Sequence, residues 1–272
     1  MCASDADPAR HGQGYVDAAG LRTYYEVDGS GEPVMLLHGG FSTVESWGAQ
    51  RSALARHYQV WLPERRGHGR TPDVEGPITY ENMAADTIAF MEAAGIASAN
   101  IVGWSDGGSI GLIVALRRPD LVRRLVCIGT PANLDGLGAA FRGEADAMTL
   151  EGLSPTLADP YRALSPDGPD HLVVVFEKIK HLWRTEPQMT LGELRLISTP
   201  TLLMLGDRDI VTIEHAAAMA ASLPVSQLAV VPGTDHLVVF QKPDLVSRLI
   251  LDFLAEERTT TVPAIPPRDE DR

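Results

Sequence analysis

The string Gly103-Trp104-Ser105-Asp106-Gly107 sets a serine between glycines, after an apolar run at 100–102 and before a helical pattern over 106–117. A serine on a tight strand-to-helix turn has its Oγ lifted above the end of a sheet, at a helix N-terminus whose dipole favours developing negative charge. The backbone closes tightly around such a serine, so its flanking positions must lack side chains. A hydroxyl at that place becomes a useful nucleophile only if a base takes its proton during attack. Among the eight histidines, His236 is the best placed, in the loop Pro232-Gly233-Thr234-Asp235-His236 after the last strand run and before the C-terminal helix. His11 falls in the leader, and His57, His171, His181 and His215 fall in or beside helical patterns. The base in turn needs an acid to fix its tautomer and to stabilise its cation. Gly206-Asp207-Arg208-Asp209 follows another strand run and offers Asp207 and Asp209. Serine, acid, histidine is the chain order of sheet enzymes with this kind of turn.

Seven short, mostly apolar runs predict strands at 21–27, 34–37, 59–62, 100–102, 125–128, 201–205 and 227–231, with helices between them at 47–55, 80–94, 106–117, 214–223 and 244–257. Continuous apolar runs of four or five residues suit strands covered on both faces, and their alternation with helices implies βαβ units in a mostly parallel sheet. Turn residues at 28–33 separate the first two runs so briefly that this end of the sheet is expected to be antiparallel. The alternation breaks at 131–199, which reads as helix only. Leu172, Val175, Phe176, Ile179, Leu182 and Trp183 form one stripe over 171–184. That stretch is too long for a loop and is expected to be a helical cap over one end of the sheet. The expected organisation is a leader at 1–13, a core at 14–130 and 200–258, the cap at 131–199, and a proline-rich, charged tail at 259–272.

Hydrophobic residues make up 44% of the 272-residue chain and charged ones 22%, which is globular usage and argues against global disorder. A formal charge of −13 repels phosphate backbones and anionic lipid, so nucleic-acid and membrane-surface roles are set aside. Cys2 and Cys127 cannot build a disulfide framework or a cysteine zinc site, and Cys127 reads as a buried, inert thiol. The polar N-terminus carries no apolar signal core and no stretch reaches membrane-spanning length, so a cytoplasmic location is expected. No metal-binding string and no dinucleotide-binding glycine motif occur, so neither metal nor cofactor is expected.

With these pieces in order, residues 21–257 resemble the α/β-hydrolase fold family, and within it the serine esterases with a helical cap. The resemblance rests on four motifs: His38-Gly39-Gly40, Arg66-Gly67-His68-Gly69-Arg70-Thr71, the elbow at 103–108, and Gly206–Asp209 with His236. It implies Asp209 rather than Asp207 as the acid. It implies an oxyanion site made by the backbone N–H groups of Asp106 and of Gly40, with Phe41 next in line, and a structural role for His38 in that turn. Glu64 and Thr71 depart from the Asp and Ser usual there, which bears on local loop packing. The Arg65-Arg66 pair is expected to hold neighbouring loops together. Trp104, Phe41, Met148, Trp183, Leu237 and Val238 are candidates for an apolar pocket wall or plain core, Phe41 and Trp104 being the expected substrate contacts. Asp106 reads as a first-turn helix acid, or else as a carboxylate selecting amine-bearing substrates, since the same elbow occurs in a hydrolase of amino-acid esters. The implied activity is hydrolysis of a small carboxylic ester or lactone through an acyl-enzyme. C–C hydrolysis, aminopeptidase-type or haloperoxidase-like chemistry, and a ligand receptor that does not turn over are the alternatives.

Overall fold

The computed structural model describes residues 11–255. Its strands are β1 (Gly12–Ala18), β2 (Leu21–Asp28), β3 (Pro33–Leu37), β4 (Gln59–Pro63), β5 (Ala99–Trp104), β6 (Val122–Ile128), β7 (Thr201–Gly206) and β8 (Ser226–Val231). The helices are α1 (Gly48–Leu54), α2 (Tyr80–Ala93), α3 (Asp106–Arg117), α4 (Ala139–Ala147), α5 (Pro155–Leu164), α6 (Leu172–Thr185), α7 (Leu191–Leu194), α8 (Ile213–Ser222), α9 (Val238–Gln241) and α10 (Pro243–Ala255).

The strands form one sheet in the order β1-β2-β4-β3-β5-β6-β7-β8. Strands β3 to β8 run parallel, while β1 and β2 are antiparallel to their neighbours. Alternation of side chains along each strand feeds two cores. Met35, Leu37, Ile101, Leu125, Cys127 and Leu203 face one, with α2 and α3 packed on it. Val34, Leu36, Val102, Val126, Leu202 and Met204 face the other, under Ile250 and Phe253 of α10. Both faces of the inner strands β3, β5 and β7 are dry, which is why these strands read as unbroken apolar runs. Burial pushes the Cys127 thiol up, as suits an inert core cysteine.

Strand β1 lies outside the runs that the sequence pattern predicts. The sequence pattern places the end of the leader at residue 13, but Gly12 and Gln13 already pair with Val27 and Glu26 of β2. An edge strand with one wet face needs no apolar run, and GQGYVDA has none; Tyr15 is 45% exposed. The leader up to residue 10, the expected tail at 259–272 and the last residues of the C-terminal helix pattern lie outside the described residues.

Between β6 and β7 the chain forms α4 to α7 instead of a single crossover helix. The buried stripe of α6 is Leu172, Val175, Phe176, Ile179 and Leu182. This helix lies against the loops that follow β3 and β4: Phe176 stacks on Phe41, and Val175 approaches Gly67. Lys178 donates to Asp73 at 2.6 Å and fastens the helix to the second loop. Among the described residues no helix is long and apolar enough to cross a membrane.

Candidate active site

Ser105 sits between β5 and α3 with φ 56° and ψ −121°, a conformation few non-glycine residues adopt. The turn is held by its neighbours. Ser105 N–H donates to Ile128 O at 2.8 Å, and Gly108 N–H returns to Ser105 O at 2.9 Å. A Cβ on Gly107 would stand 2.0 Å from Leu37 O, so the elbow packs on β3 only because that position lacks a side chain.

His236 comes over the sheet end from the loop after β8. Its Nε2 lies 2.9 Å from Ser105 Oγ and its Nδ1 lies 2.8 Å from Asp209 Oδ1. The Asp209 side chain is fully buried, while that of His236 is 20% exposed. Two backbone donors aim the carboxylate: Val211 N–H to Oδ1 at 3.2 Å and Gly206 N–H to Oδ2 at 3.3 Å. Asp207 points elsewhere. Its Oδ1 accepts Thr234 N–H at 3.0 Å and ties the acid loop to the histidine loop. The structure therefore brings Ser105, His236 and Asp209 together and leaves Asp207 as a turn carboxylate. A hydroxyl, an imidazole and a carboxylate in this chain can pass the hydroxyl proton to the ring while the acid holds the ring's tautomer.

The turn after β3 lies beside the serine; a Cβ on Gly39 would be 3.4 Å from Ser105 Cβ. His38 is fully buried within it. Its Nε2 accepts Arg65 N–H at 3.3 Å, which puts the ring proton on Nδ1; Nδ1 donates to Gly39 O at 2.9 Å and lies 3.1 Å from Arg65 Nη2, which donates to the same oxygen. Burial and the Arg65 charge hold this imidazole well below its ordinary pKa, hence neutral. The arginine pair splits as follows. Arg66 forms a two-bond pair with Asp86, at 2.6 and 2.7 Å, while Arg65 turns inward to Gly39 O at 2.6 Å. The two unusual residues of the adjoining loop are also accommodated. Thr71 Oγ1 bridges Glu64 O and Tyr24 N–H, and the longer Glu64 reaches Arg70 Nη1 at 2.7 Å. Burial pushes the Glu64 carboxyl up to about 7 against the pull of Arg70.

Asp106 opens α3 as expected, but it is no surface acid. It is 4% exposed, and its carboxylate turns into the cavity beside Ser105. Its Oδ1 accepts Tyr80 O–H at 2.8 Å and Trp183 Nε1–H at 3.0 Å; its Oδ2 lies 3.8 Å from Arg65 Nη1. Burial and this carboxylate push the Tyr80 phenol well above its ordinary value, so it stays a donor. Sequence reasoning did not find Tyr80, because the start of a helix 26 residues upstream carries no local mark of this contact.

The cavity over Ser105 measures about 140 Å³. Trp104, Leu237 and Ile210 wall it from the sheet side, and Leu137, Phe141 and Trp183 from the helical insertion. Trp104 also donates its indole N–H to His236 O at 2.9 Å. Phe41, Met148 and Val238 do not line it. Phe41 is 5% exposed, sandwiched between Trp183 and Phe176, so the insertion covers the ring expected to meet substrate. A Cβ on Gly40 would meet the Trp183 ring at 2.4 Å, which puts Trp183 directly over the turn. Among the described residues no group of three or more His, Cys, Asp or Glu is arranged to hold a metal.

A sequence model of the alpha/beta hydrolase fold matches residues 32–159. A non-heme haloperoxidase of Rhodococcus erythropolis is 30% identical over 268 residues, covering 86% of this chain and 96% of its own. The chain belongs to the α/β-hydrolase fold family. Its hydrolase relatives include a 2-hydroxymuconate semialdehyde hydrolase of Pseudomonas putida, 27% identical over 266 residues with 88% and 92% coverage. Among solved structures, the meta-cleavage product hydrolase of Pseudomonas fluorescens superposes with a TM-score of 0.77 at 23% identity, over 89% of this hydrolase and 97% of that chain, a likeness of fold.

Proposed function

We propose that this hydrolase cleaves a small carboxylic ester or lactone through an acyl-enzyme on Ser105. The observation that carries the reading is the unbroken chain from Ser105 Oγ through His236 to the buried Asp209, at 2.9 and 2.8 Å. In this mechanism His236 Nε2 takes the Ser105 proton as Oγ attacks the carbonyl carbon. Asp209 keeps the Nδ1 proton in place and stabilises the imidazolium. The carbonyl oxygen becomes an oxyanion facing two backbone donors, Gly40 N–H and Asp106 N–H. The latter is the first N–H of α3 and has no intrahelical partner by position. As the C–O bond breaks, His236 protonates the leaving alcohol. Water then adds to the acyl-enzyme, giving its proton to His236, and releases the acid and Ser105.

The helical insertion acts as a cap, with Leu137, Phe141 and Trp183 closing a small apolar cavity that keeps bulk water from the acyl-enzyme. Trp104 positions the histidine loop and contributes to the substrate wall. The ligand is a small molecule, in keeping with the cavity. A second reading, hydrolysis of a C–C bond next to a carbonyl, is supported by the semialdehyde hydrolase relative and would use the same three side chains.

Turnover of a panel of p-nitrophenyl esters, lactones and vinylogous diketones separates the two bond types. A fluorophosphonate probe should label Ser105, and Ser105→Ala should lose nearly all turnover; an alanine variant with the wild-type rate ends the proposal.

A further inference from the structure

Arg65 is 5% exposed, yet it is not used as its neighbours Arg66 and Arg70 are. Arg66 and Arg70 are spent on carboxylates at direct hydrogen-bond distance. The shortest contact of Arg65 is a backbone oxygen, Gly39 O, at 2.6 Å from Nη2. Its nearest carboxylate, Asp106, stands off at 3.8 Å, and its Nε has no partner. Gly39 O is a crowded acceptor. It also takes the His38 Nδ1 proton at 2.9 Å and Ser42 N–H at 3.3 Å. This carbonyl and Gly40 N–H belong to one peptide unit, which is planar and trans, so they point in opposite directions. Whatever grips the Gly39 oxygen aims the Gly40 hydrogen the other way. Gly40 N–H has no acceptor among the described residues, and Gly40 lines the cavity over Ser105.

We propose that Arg65 is a positioning residue that aims and polarises the Gly40 N–H through the Gly39–Gly40 peptide, so that a buried cation assists the oxyanion without touching it. The inference rests on the hydrolytic reading of Ser105. Drawing peptide electron density toward the oxygen leaves the N–H end more positive, and bonds in a low-dielectric interior reinforce one another along such a chain. The benefit grows as negative charge develops, so it belongs to the transition state rather than to ground-state binding. Asp106 faces the same guanidinium from the cavity side and offsets its charge at rest. His38 supports the same carbonyl as a neutral donor.

The test compares wild type, Arg65→Met, Arg65→Lys and Ser105→Ala on the p-nitrophenyl ester that wild type turns over fastest, with folding followed by thermal unfolding. Each is also titrated with a trifluoromethyl ketone, whose carbonyl adds Ser105 to form a tetrahedral oxyanion. Arg65→Met is expected to lower kcat about ten- to a hundredfold and to leave KM within about threefold. Ketone affinity should fall in step with kcat, and Arg65→Lys should recover part of both. A folded Arg65→Met with wild-type kcat and ketone affinity overturns the role, as does a fall in kcat with ketone affinity unchanged. If Arg65→Met does not fold, Arg65→Lys decides by the same pair of readouts. Ser105→Ala keeps the two ideas apart. If it retains turnover, the hydrolytic reading itself fails; if it is inactive while the Arg65 variants behave as wild type, only the Arg65 role falls.

Discussion

Trp183, on the helical insertion, donates its indole N–H at 3.0 Å to Asp106, the residue that follows Ser105. One bond thus joins the layer above the cavity to the turn that holds the serine. Trp183→Phe keeps a ring over Gly40 and against Phe41 but removes this donor. The acceptor is a buried carboxylate, so the loss should cost about 1.5–3 kcal/mol in urea unfolding. The insertion should also loosen over the site, which would appear as faster hydrogen exchange in α6 and a lower kcat/KM. If stability and exchange both match wild type, the contact does not hold the layers together.

Asp207 and Asp209 lie two residues apart with different partners, and asparagine substitution should tell them apart. In Asp209→Asn the amide cannot hold the His236 proton on Nδ1 as a carboxylate does, so kcat should fall about a thousand- to ten-thousandfold. Asp207→Asn retains an oxygen for Thr234 N–H and should stay within about threefold of wild type. Steady-state kinetics on one ester suffices. Equal losses would mean that the acid was assigned to the wrong carboxylate.

Trp104 reaches past the cavity to the backbone oxygen of His236 at 2.9 Å. Trp104→Phe preserves much of the apolar wall and deletes the bond. With the histidine loop less firmly held, kcat should fall about tenfold, because catalysis through a positioned base depends on sub-ångström placement. Phe240 packs edge-on against the same ring at 5.4 Å and should keep the fold intact, as a circular dichroism melt would show.

What the chain discloses in advance follows from how local each constraint is. The elbow was legible because its demands fall on neighbours: glycine at 103 and 107, serine at 105, helix after. Asp209 and His236 were legible as loop residues after strand runs, since parallel strands deliver such loops to one end of a sheet. Strand β1 escaped because a wet edge needs no apolar signature. The surroundings of Asp106 escaped for another reason. Tyr80, Arg65 and Trp183 reach it from three separate segments, and no spacing rule links position 106 to position 183. Phe41 shows the same limit: its covering partner, α6, arrives 135 residues later in the chain.

The buried histidines make stability depend on pH. His68 is 2% exposed, its ring 5.2 Å from that of His38, with Nδ1 at 2.9 Å from Arg66 O and no partner for Nε2. Burial, with the Arg65 charge added, pushes it down to about 3, whereas in the unfolded chain it titrates near 6.5. Between those values the unfolded state binds more protons, so stability falls as pH drops. The contribution is fully present above 6.5 and is lost progressively toward pH 3. Moving from pH 7 to pH 5 should therefore cost about 2 kcal/mol through this residue. His68→Gln removes the titration, so its urea unfolding free energy should change less over the same interval, by about that amount. His38, also held neutral, still titrates in the variant and leaves a remaining slope. A variant whose pH dependence overlays that of wild type would mean that His68 is as free to protonate in the fold as in water.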